Sequence, residues 1–438
     1  MDFITQFENT LEHTISQGLL SEANQLIEAY PSTGQPYSVR LLSLLNDLRQ
    51  RECPFSLPLS EHPHRVILFQ TGNYILDYIL KQFSAFFVSK GYAVMHFNPA
   101  DYSSSSEAFF VFARQGVDAA FFFNNVGLLQ TFQDGSNLWE ALHIPCYDFL
   151  VDHPMYYADS LDYAPANTTL LCADRTHADY AIRFYPKLKD AVFMPTGGCE
   201  PINTDQERPM DVLFIGSYKF HPETPSDTFA QNITLYLQSH TDQTFEQAVE
   251  ICAKNSNETD SLTDSELKLL IEKYRFAETS VTALYRKALI QNILDAGITI
   301  HVYGNGWEQT GLTGHPNFML HEPVSFEEGL NLMSQTKILL NHMAWFKEGS
   351  SERIFNAMAR GAVCVTDSST FLDDILVHGN NCCIYNLEQV ESGTVSHIIS
   401  ALLSNPDQMD IMSTAGQQTA ANHTWQKHLL SVTSQTSL

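Results

Sequence analysis

Along the chain, short apolar runs alternate with longer stretches in which apolar positions recur every three or four residues. The first pattern belongs to strands buried on both faces and the second to helices that cover them. From residue 65 the order is regular. Val66-Ile67-Leu68-Phe69 predicts a strand, Gly72-Asn73 a break, and Ile75 to Ser89 a helix that Gly91 ends. Ala93 to Phe97 predicts a second strand, Ser106 to Gln115 a helix, and Asp118 to Phe123 a third strand stopped by Asn124-Asn125. Cys146 to Val151 follows as a strand ending at Asp152-His153-Pro154. A linker is expected over Pro195 to Pro209, with Gly197-Gly198 and the polar Asn203-Thr204-Asp205.

Beyond it the same order restarts. Asp211 to Ile215 predicts a strand ending at Gly216-Ser217, and the charged stretch from Ser239 to Lys273 a helical insertion. A helix over Thr282 to Ala296 and a strand over Ile298 to Tyr303 come next, closing on Gly304-Asn305-Gly306-Trp307. Helix Phe326 to Gln335, strand Lys337 to Asn341, helix Ser351 to Arg360, strand Val363 to Thr366 and tail helices complete the pattern. Ahead of the first strand, Phe3, Ile4, Phe7, Leu11 and Ile15 lie at helical spacing, as do Leu41, Leu44, Leu45 and Leu48. The expected class is therefore α/β, with two Rossmann-like parallel-sheet domains and a helical N-terminal extension. The boundaries fall at 1–60 for the extension, 61–205 for the first domain, and 206–438 for the second with its insertion at 239–273.

Composition adds constraints. With 44% hydrophobic and 17% charged residues the chain has an ordinary globular make-up. Its 24 Lys and Arg against 50 Asp and Glu give a net charge of -26, which opposes attraction to nucleic acid or an anionic bilayer. A phosphate-bearing ligand must then be held by locally placed cations. The eight Cys form no CxxC pair, the N-terminus has no basic and apolar leader, and no run is long enough to span a bilayer. A cytoplasmic protein with free thiols is expected, in which the Asn-x-Ser/Thr matches at Asn167 and Asn232 have no consequence.

In open α/β sheets ligands collect beyond the carboxyl ends of the strands, which directs attention to the residues after Phe69, Phe123, Val151, Ile215, Tyr303, Leu340 and Thr366. Glu348-Gly349-Ser350-Ser351-Glu352-Arg353 opens a helix there. Ser350 or Ser351 can cap it, leaving backbone N–H groups for an anion. Arg353, a cation in the first turn, opposes the helix dipole by about 0.3–1 kcal/mol unless an anion or a neighbouring Glu offsets it.

The run Gly349 to Ala362 followed by Val365-Thr366-Asp367 resembles the donor-binding signature of group 1 glycosyltransferases, nearest to the branch containing spore-maturation-type proteins. Phe214 to Ser217, Val302 to Trp307, Leu340-Asn341 and His423-Thr424-Trp425 extend the likeness from Asp211 to about Leu430. Val151 to Pro154 carries it into the first half. The resemblance implies a GT-B fold and a nucleotide-diphosphate-sugar co-substrate, with no further cofactor and no metal. It also implies donor contacts from Gly216, Ser217, Tyr303, Gly304, Asn305, Gly306, Trp307, Asn341, Glu348, Gly349, Ser350, Ser351, Arg353 and Asn356. At Asn356 many members carry Glu on the ribose, and Asn keeps hydrogen-bonding capacity there.

Asp152 and His153, after a strand of the first domain, are the expected catalytic pair facing an unidentified glycan, protein or lipid-linked acceptor, with His153 as the expected base. Asp174 and His177 form a secondary pair. No Asp-x-Asp pair for a metal-held diphosphate is seen, and Glu61-His62-Pro63-His64 reads as a surface turn. A sugar-nucleotide epimerase of the same fold and an inactive sugar-nucleotide-binding module are the alternatives. A dehydrogenase is disfavoured because Gln309 stands where the dinucleotide fingerprint has Gly, and neither a phosphate-loop Lys nor a Gly-x-Ser-x-Gly elbow occurs.

Overall fold

The computed structural model describes residues 2–52, 64–113, 116–132, 135–202, 207–256 and 262–436. Arg65–Phe69 (β1), Ala93–Phe97 (β2), Ala119–Phe123 (β3), Cys146–Leu150 (β4), Thr168–Cys172 (β5) and Asp190–Phe193 (β6) form one sheet. Met210–Ile215 (β7), Ile300–Tyr303 (β8), Phe318–His321 (β9), Thr336–Leu340 (β10), Val363–Thr366 (β11) and Cys383–Ile384 (β12) form the other. The orders are β2-β1-β3-β4-β5-β6 and β12-β11-β10-β7-β8-β9, and each pairing is parallel. Two Rossmann-like units result, with the helical N-terminal region ahead of them. The apolar runs fit this topology because a parallel sheet covered on both faces has no solvent side to demand alternation. β1, β3, β4 and β5 are buried along their whole length.

Helices Phe3–Ser16, Leu20–Ala29 and Val39–Glu52 lie against the first sheet. Leu11, Ile15, Ile27, Tyr30 and Leu41 share a core with Ile67, Phe69, Phe122 and Trp139. Burying each such side chain stabilises the fold by about 1.5–3 kcal/mol, so the extension is part of the first unit's core.

The insertion is longer than expected. Between β7 and β8 run helices Thr228–Ser239, Phe245–Ser256, Asp264–Tyr274 and Phe276–Asp295, so it starts before Ser239 and continues through the helix predicted from Thr282. Its middle part leans on the first unit. Arg183 Nε donates to Asp264 at 2.9 Å, Arg275 Nη1 donates to the Met155 carbonyl at 3.3 Å, and the Tyr156 hydroxyl donates to Glu278. From the far end of the chain, helix Trp425–Thr436 crosses back, and Trp425 packs against Phe83 and Phe149 of the first unit.

Asp148 stands inside β4 with no exposure. Its Oδ1 accepts from the Asn125 N–H at 3.1 Å, while Oδ2 has no hydrogen-bond partner. Burial pushes its pKa up to about 7, against the smaller opposing pull of the Asn125 N–H. The folded pKa then exceeds the unfolded one of about 3.9. This group's contribution is fully present below the unfolded pKa and is lost as pH rises through about 7. Asp148→Asn keeps the acceptor for Asn125 and removes the titration. The melting temperature of the wild type should fall more between pH 5 and pH 8 than that of the variant, and equal falls would contradict this.

Candidate active site at the second switch point

In the second sheet β7 and β10 are neighbours whose connections leave in opposite directions, and the crevice beyond their carboxyl ends is where such folds bind ligands. Two arginines converge there. Arg353 Nη1 donates to the Ile215 carbonyl at 2.8 Å and its Nε to Ser351 Oγ at 3.1 Å. Arg286, from the insertion's last helix, donates through Nη1 to the Ser217 carbonyl at 2.5 Å.

Both guanidinium groups thus rest on backbone oxygens at the end of β7, and neither pairs with Glu348 or Glu352. Part of the Arg286 surface is open, yet the group lies deep among protein atoms; burial, then the charge of Arg353, lowers its pKa to about 9. His342 is enclosed beside them, with neither ring nitrogen hydrogen-bonded. Burial and the charges of Arg286, Arg353 and Lys347 hold its pKa well below the ordinary value, so it is neutral at pH 7. Asp367 answers these charges from β11's end. Burial raises its pKa to about 6, while the Met343 N–H at 2.9 Å opposes the rise.

The loop opening helix Glu352–Ala359 is anchored from several sides. Ser351 is its cap, accepting from Arg353 N–H at 3.4 Å, and Ser350 and Ser351 are enclosed. Glu348 N–H donates to Asp174 Oδ2 at 2.8 Å, and Gly349 forms an antiparallel bridge with Asp174. Only a glycine fits at 349, since an added Cβ would sit 2.2 Å from the Ala173 carbonyl oxygen. Thr196 Oγ1 donates to the Ser350 carbonyl at 2.8 Å, and Ser369 Oγ to that of Gly349 at 2.5 Å.

The segment Gly304 to Trp307 closes the other wall. Trp307 is fully enclosed, and its indole N–H donates to the Gly216 carbonyl at 2.8 Å. Asn305 N–H reaches Ser217 Oγ at 3.2 Å, and Gly306, at φ +82°, approaches the Tyr218 carbonyl too closely for any Cβ. Asn305 is exposed, and Tyr303 is half-buried, stacked on His321 at 4.3 Å. Asn341 and Asn356 are enclosed. Asn341 Nδ2 donates to Thr366 Oγ1 at 2.9 Å, and Asn356 Oδ1 accepts from Cys199 N–H at 2.8 Å, fastening the linker between the units. Trp307, Asn341 and Asn356 therefore shape the crevice from within, whereas Ser217, Asn305 and Arg353 retain open surface.

Asp152 and His153 stand at the end of β4 on the first unit. Asp152 is exposed and its Oδ2 accepts from the Tyr157 hydroxyl at 2.9 Å. His153 is enclosed, with Nδ1 accepting from Met155 N–H at 3.1 Å and Nε2 lying 3.5 Å from Glu246, an ion-pair distance beyond a good hydrogen bond. Burial opposes charge on Glu246, but the His153 ring and neighbouring donors hold its carboxyl below the usual range. His177, edge-on to His153 at 4.5 Å, lies between that residue and Phe346 of the second unit. Glu278 is close by, raised to about 7 by burial and lowered less by His153. A cavity of about 530 Å³ lies where the insertion meets the ends of β10, β11 and β12, lined by Asp242, Phe346, Lys347, Glu348 and Asp367 among others.

Residues 286–432 match the Glycosyl transferase-like family model. The matched segment begins at Arg286 and contains Tyr303 to Trp307, the Glu348 to Ser351 loop, Arg353 and the returning Trp425. No curated protein matches the chain in sequence. Among solved structures it is similar to sucrose-phosphate synthase from Thermosynechococcus elongatus, at 9% identity and a TM-score of 0.48 over 85% of this chain and 98% of that one. AviGT4, a glycosyltransferase involved in avilamycin A biosynthesis, is similar at 11% and 0.47 over 85% and 97%. Anabaena HepE in complex with UDP and glucose is similar at 10% and 0.43 over 85% and 99%.

Within the glycosyl transferase-like segment the residue that sequence reading missed is Arg286. It sits mid-helix, and only its place opposite Arg353 at the end of β7 marks it. Lys347 and His342 were missed for the same reason, and Asp367, read only as the end of the Val365-Thr366-Asp367 run, gains its place beside them from tertiary packing. Of the Glu61 to His64 turn, Glu61, His62 and Pro63 lie outside the described residues, and His64 pairs with Asp118 at 3.4 Å. Among the described residues no group of three or more His, Cys, Asp or Glu is arranged to hold a metal ion, and no helix is long and apolar enough to cross a membrane.

Proposed function

We propose that this chain is a metal-independent glycosyltransferase that takes a sugar from a nucleoside-diphosphate-sugar held mainly by the second unit and passes it to a hydroxyl acceptor in the cleft. The observation that carries the reading is the pair Arg286 and Arg353. Two part-buried guanidinium groups that point at one strand end, with Asp367 near but no carboxylate in ion-pair contact, raise the energy of the empty site, and a diphosphate offsets that cost. The Glu348 to Ser351 loop at a helix N-terminus fits the same anion. The family match over 286–432 supports transferase chemistry, and the likeness of Gly349 to Asp367 supports the spore-maturation-type branch. Seven described cysteines are free and buried, which suits the reducing cytoplasm.

On the acceptor side we assign the base to Asp152, whose carboxylate is open, while His153 shapes the turn that presents it by accepting from Met155. Asp152→Asn should lower sugar transfer by about 100-fold or more with nucleotide affinity unchanged. Transfer at the wild-type rate would remove Asp152 from the mechanism.

Incubation of the full chain with a panel of sugar nucleotides, followed by chromatography, tests the reading. Free nucleoside diphosphate with the sugar on water or an added acceptor supports transfer. An isomerised nucleotide would establish the epimerase instead, and binding without turnover the inactive module.

A further inference from the structure

The loop proposed to hold the donor belongs to the second unit, yet one of its polar partners is a buried carboxylate of the first. Asp174, at the end of β5, uses its two carboxylate oxygens on different tasks. Oδ1 accepts from Thr176 N–H at 2.8 Å and Thr176 Oγ1 at 2.7 Å, capping helix Arg175–Phe184. Oδ2 accepts from Glu348 N–H at 2.8 Å, across the cleft. The bridge between Asp174 and Gly349 and the approach of Gly349 to the Ala173 carbonyl reinforce this contact. Asp174 is fully enclosed, so water cannot take over its role while the units remain docked.

Resting on the nucleotide-sugar reading, we infer that Asp174 is a positioning residue that fixes the shape of the donor loop, so that the loop is ordered for the diphosphate only when the first unit is docked. The physical basis is linkage. If the loop's conformation depends on a bond from the other unit, then donor binding favours docking and docking favours donor binding by the same factor. Helix capping alone would not require Oδ2 to reach the second unit, because the cap is complete on Oδ1.

The two tasks separate by substitution. In Asp174→Ser the hydroxyl still caps the helix but is too short to reach Glu348, and Ser is a good cap in its own right. In Asp174→Asn the single amide oxygen can accept either from Glu348 N–H or from Thr176 N–H, but not from both, because the NH₂ in the other place is itself a donor. Hydrogen exchange is measured on peptides covering 348–351, together with calorimetric titration by the four common nucleoside diphosphates. Asp174→Ser is expected to speed Glu348 amide exchange and weaken nucleoside diphosphate binding by about tenfold each, the loss of one hydrogen bond to a charged group, with Asp174→Asn between Asp174→Ser and the wild type. Wild-type exchange at Glu348 in Asp174→Ser would overturn the inference, as would wild-type affinity. If no nucleoside diphosphate binds the unaltered protein, the nucleotide reading fails, while the exchange result still decides whether Asp174 positions the loop.

Discussion

Replacing Arg353 with Ala is expected to weaken nucleoside diphosphate binding by about 100-fold, within the 2–5 kcal/mol that truncating one partner of a charge-assisted contact costs, and to leave folding nearly unchanged. The side chain is half-buried, and its partners in the free protein are the Ile215 carbonyl and Ser351 Oγ. Water can replace it at both, so little folding energy is lost. Arg286 and Lys347 remain nearby, but neither sits in the first turn of the helix that the loop opens. Arg353→Lys keeps the charge but not the planar fork, so it should recover only part of the affinity. Equilibrium titration beside a thermal melt separates the two effects, and wild-type affinity in Arg353→Ala would remove the residue from the site.

Arg286→Met is expected to act in opposite directions on binding and on stability. The guanidinium is desolvated beside a like charge, as the lowering of its pKa to about 9 by burial and by Arg353 shows. Methionine keeps the packing of the alkyl stem and removes that strain, so the melting temperature should hold or rise. Nucleoside diphosphate affinity should fall by about 100-fold. Stability exchanged for function in this way marks a ligand site. A variant that loses stability and keeps its affinity would show that Arg286 serves only to hold the Ser217 carbonyl.

The architecture was largely legible in the sequence because a buried parallel strand has a strong local signature. The apolar runs at β1, β2, β3, β4, β7, β10 and β11 end within a residue or two of the observed strands. The strands left unread explain themselves. β5 reads Thr-Thr-Leu-Leu-Cys, with polar residues that only its place deep in the sheet buries. β6 and β9 are edge strands of four residues, and β12 has two. Such short edges carry too little periodicity to stand out.

The insertion was underestimated for a different reason. Helix Phe276–Asp295 is buried on nearly every side, so its apolar positions show no single face that would link it to the helices before it. At the site, local motifs were readable and their spatial partners were not. Gly349, Ser351 and Arg353 mark a helix start suited to an anion, but the enclosure of Trp307 beneath the Gly216 carbonyl depends on tertiary packing. So does the capture of Asn356 by Cys199, and both direct attention to Ser217, Asn305 and Arg353 as the open parts of the crevice.

In the function proposed, the crevice beyond β7 and β10 binds a diphosphate through Arg286 and Arg353. Calorimetric titration of the wild type and of the Arg286→Met, Arg353→Ala double variant with nucleoside diphosphates, at one fixed ionic strength, tests it most directly. Saturable binding of at least one nucleoside diphosphate to the wild type is expected, with none detectable in a double variant that still melts cooperatively. Equal binding by the two proteins, or no binding of any nucleoside diphosphate to the wild type, would contradict it.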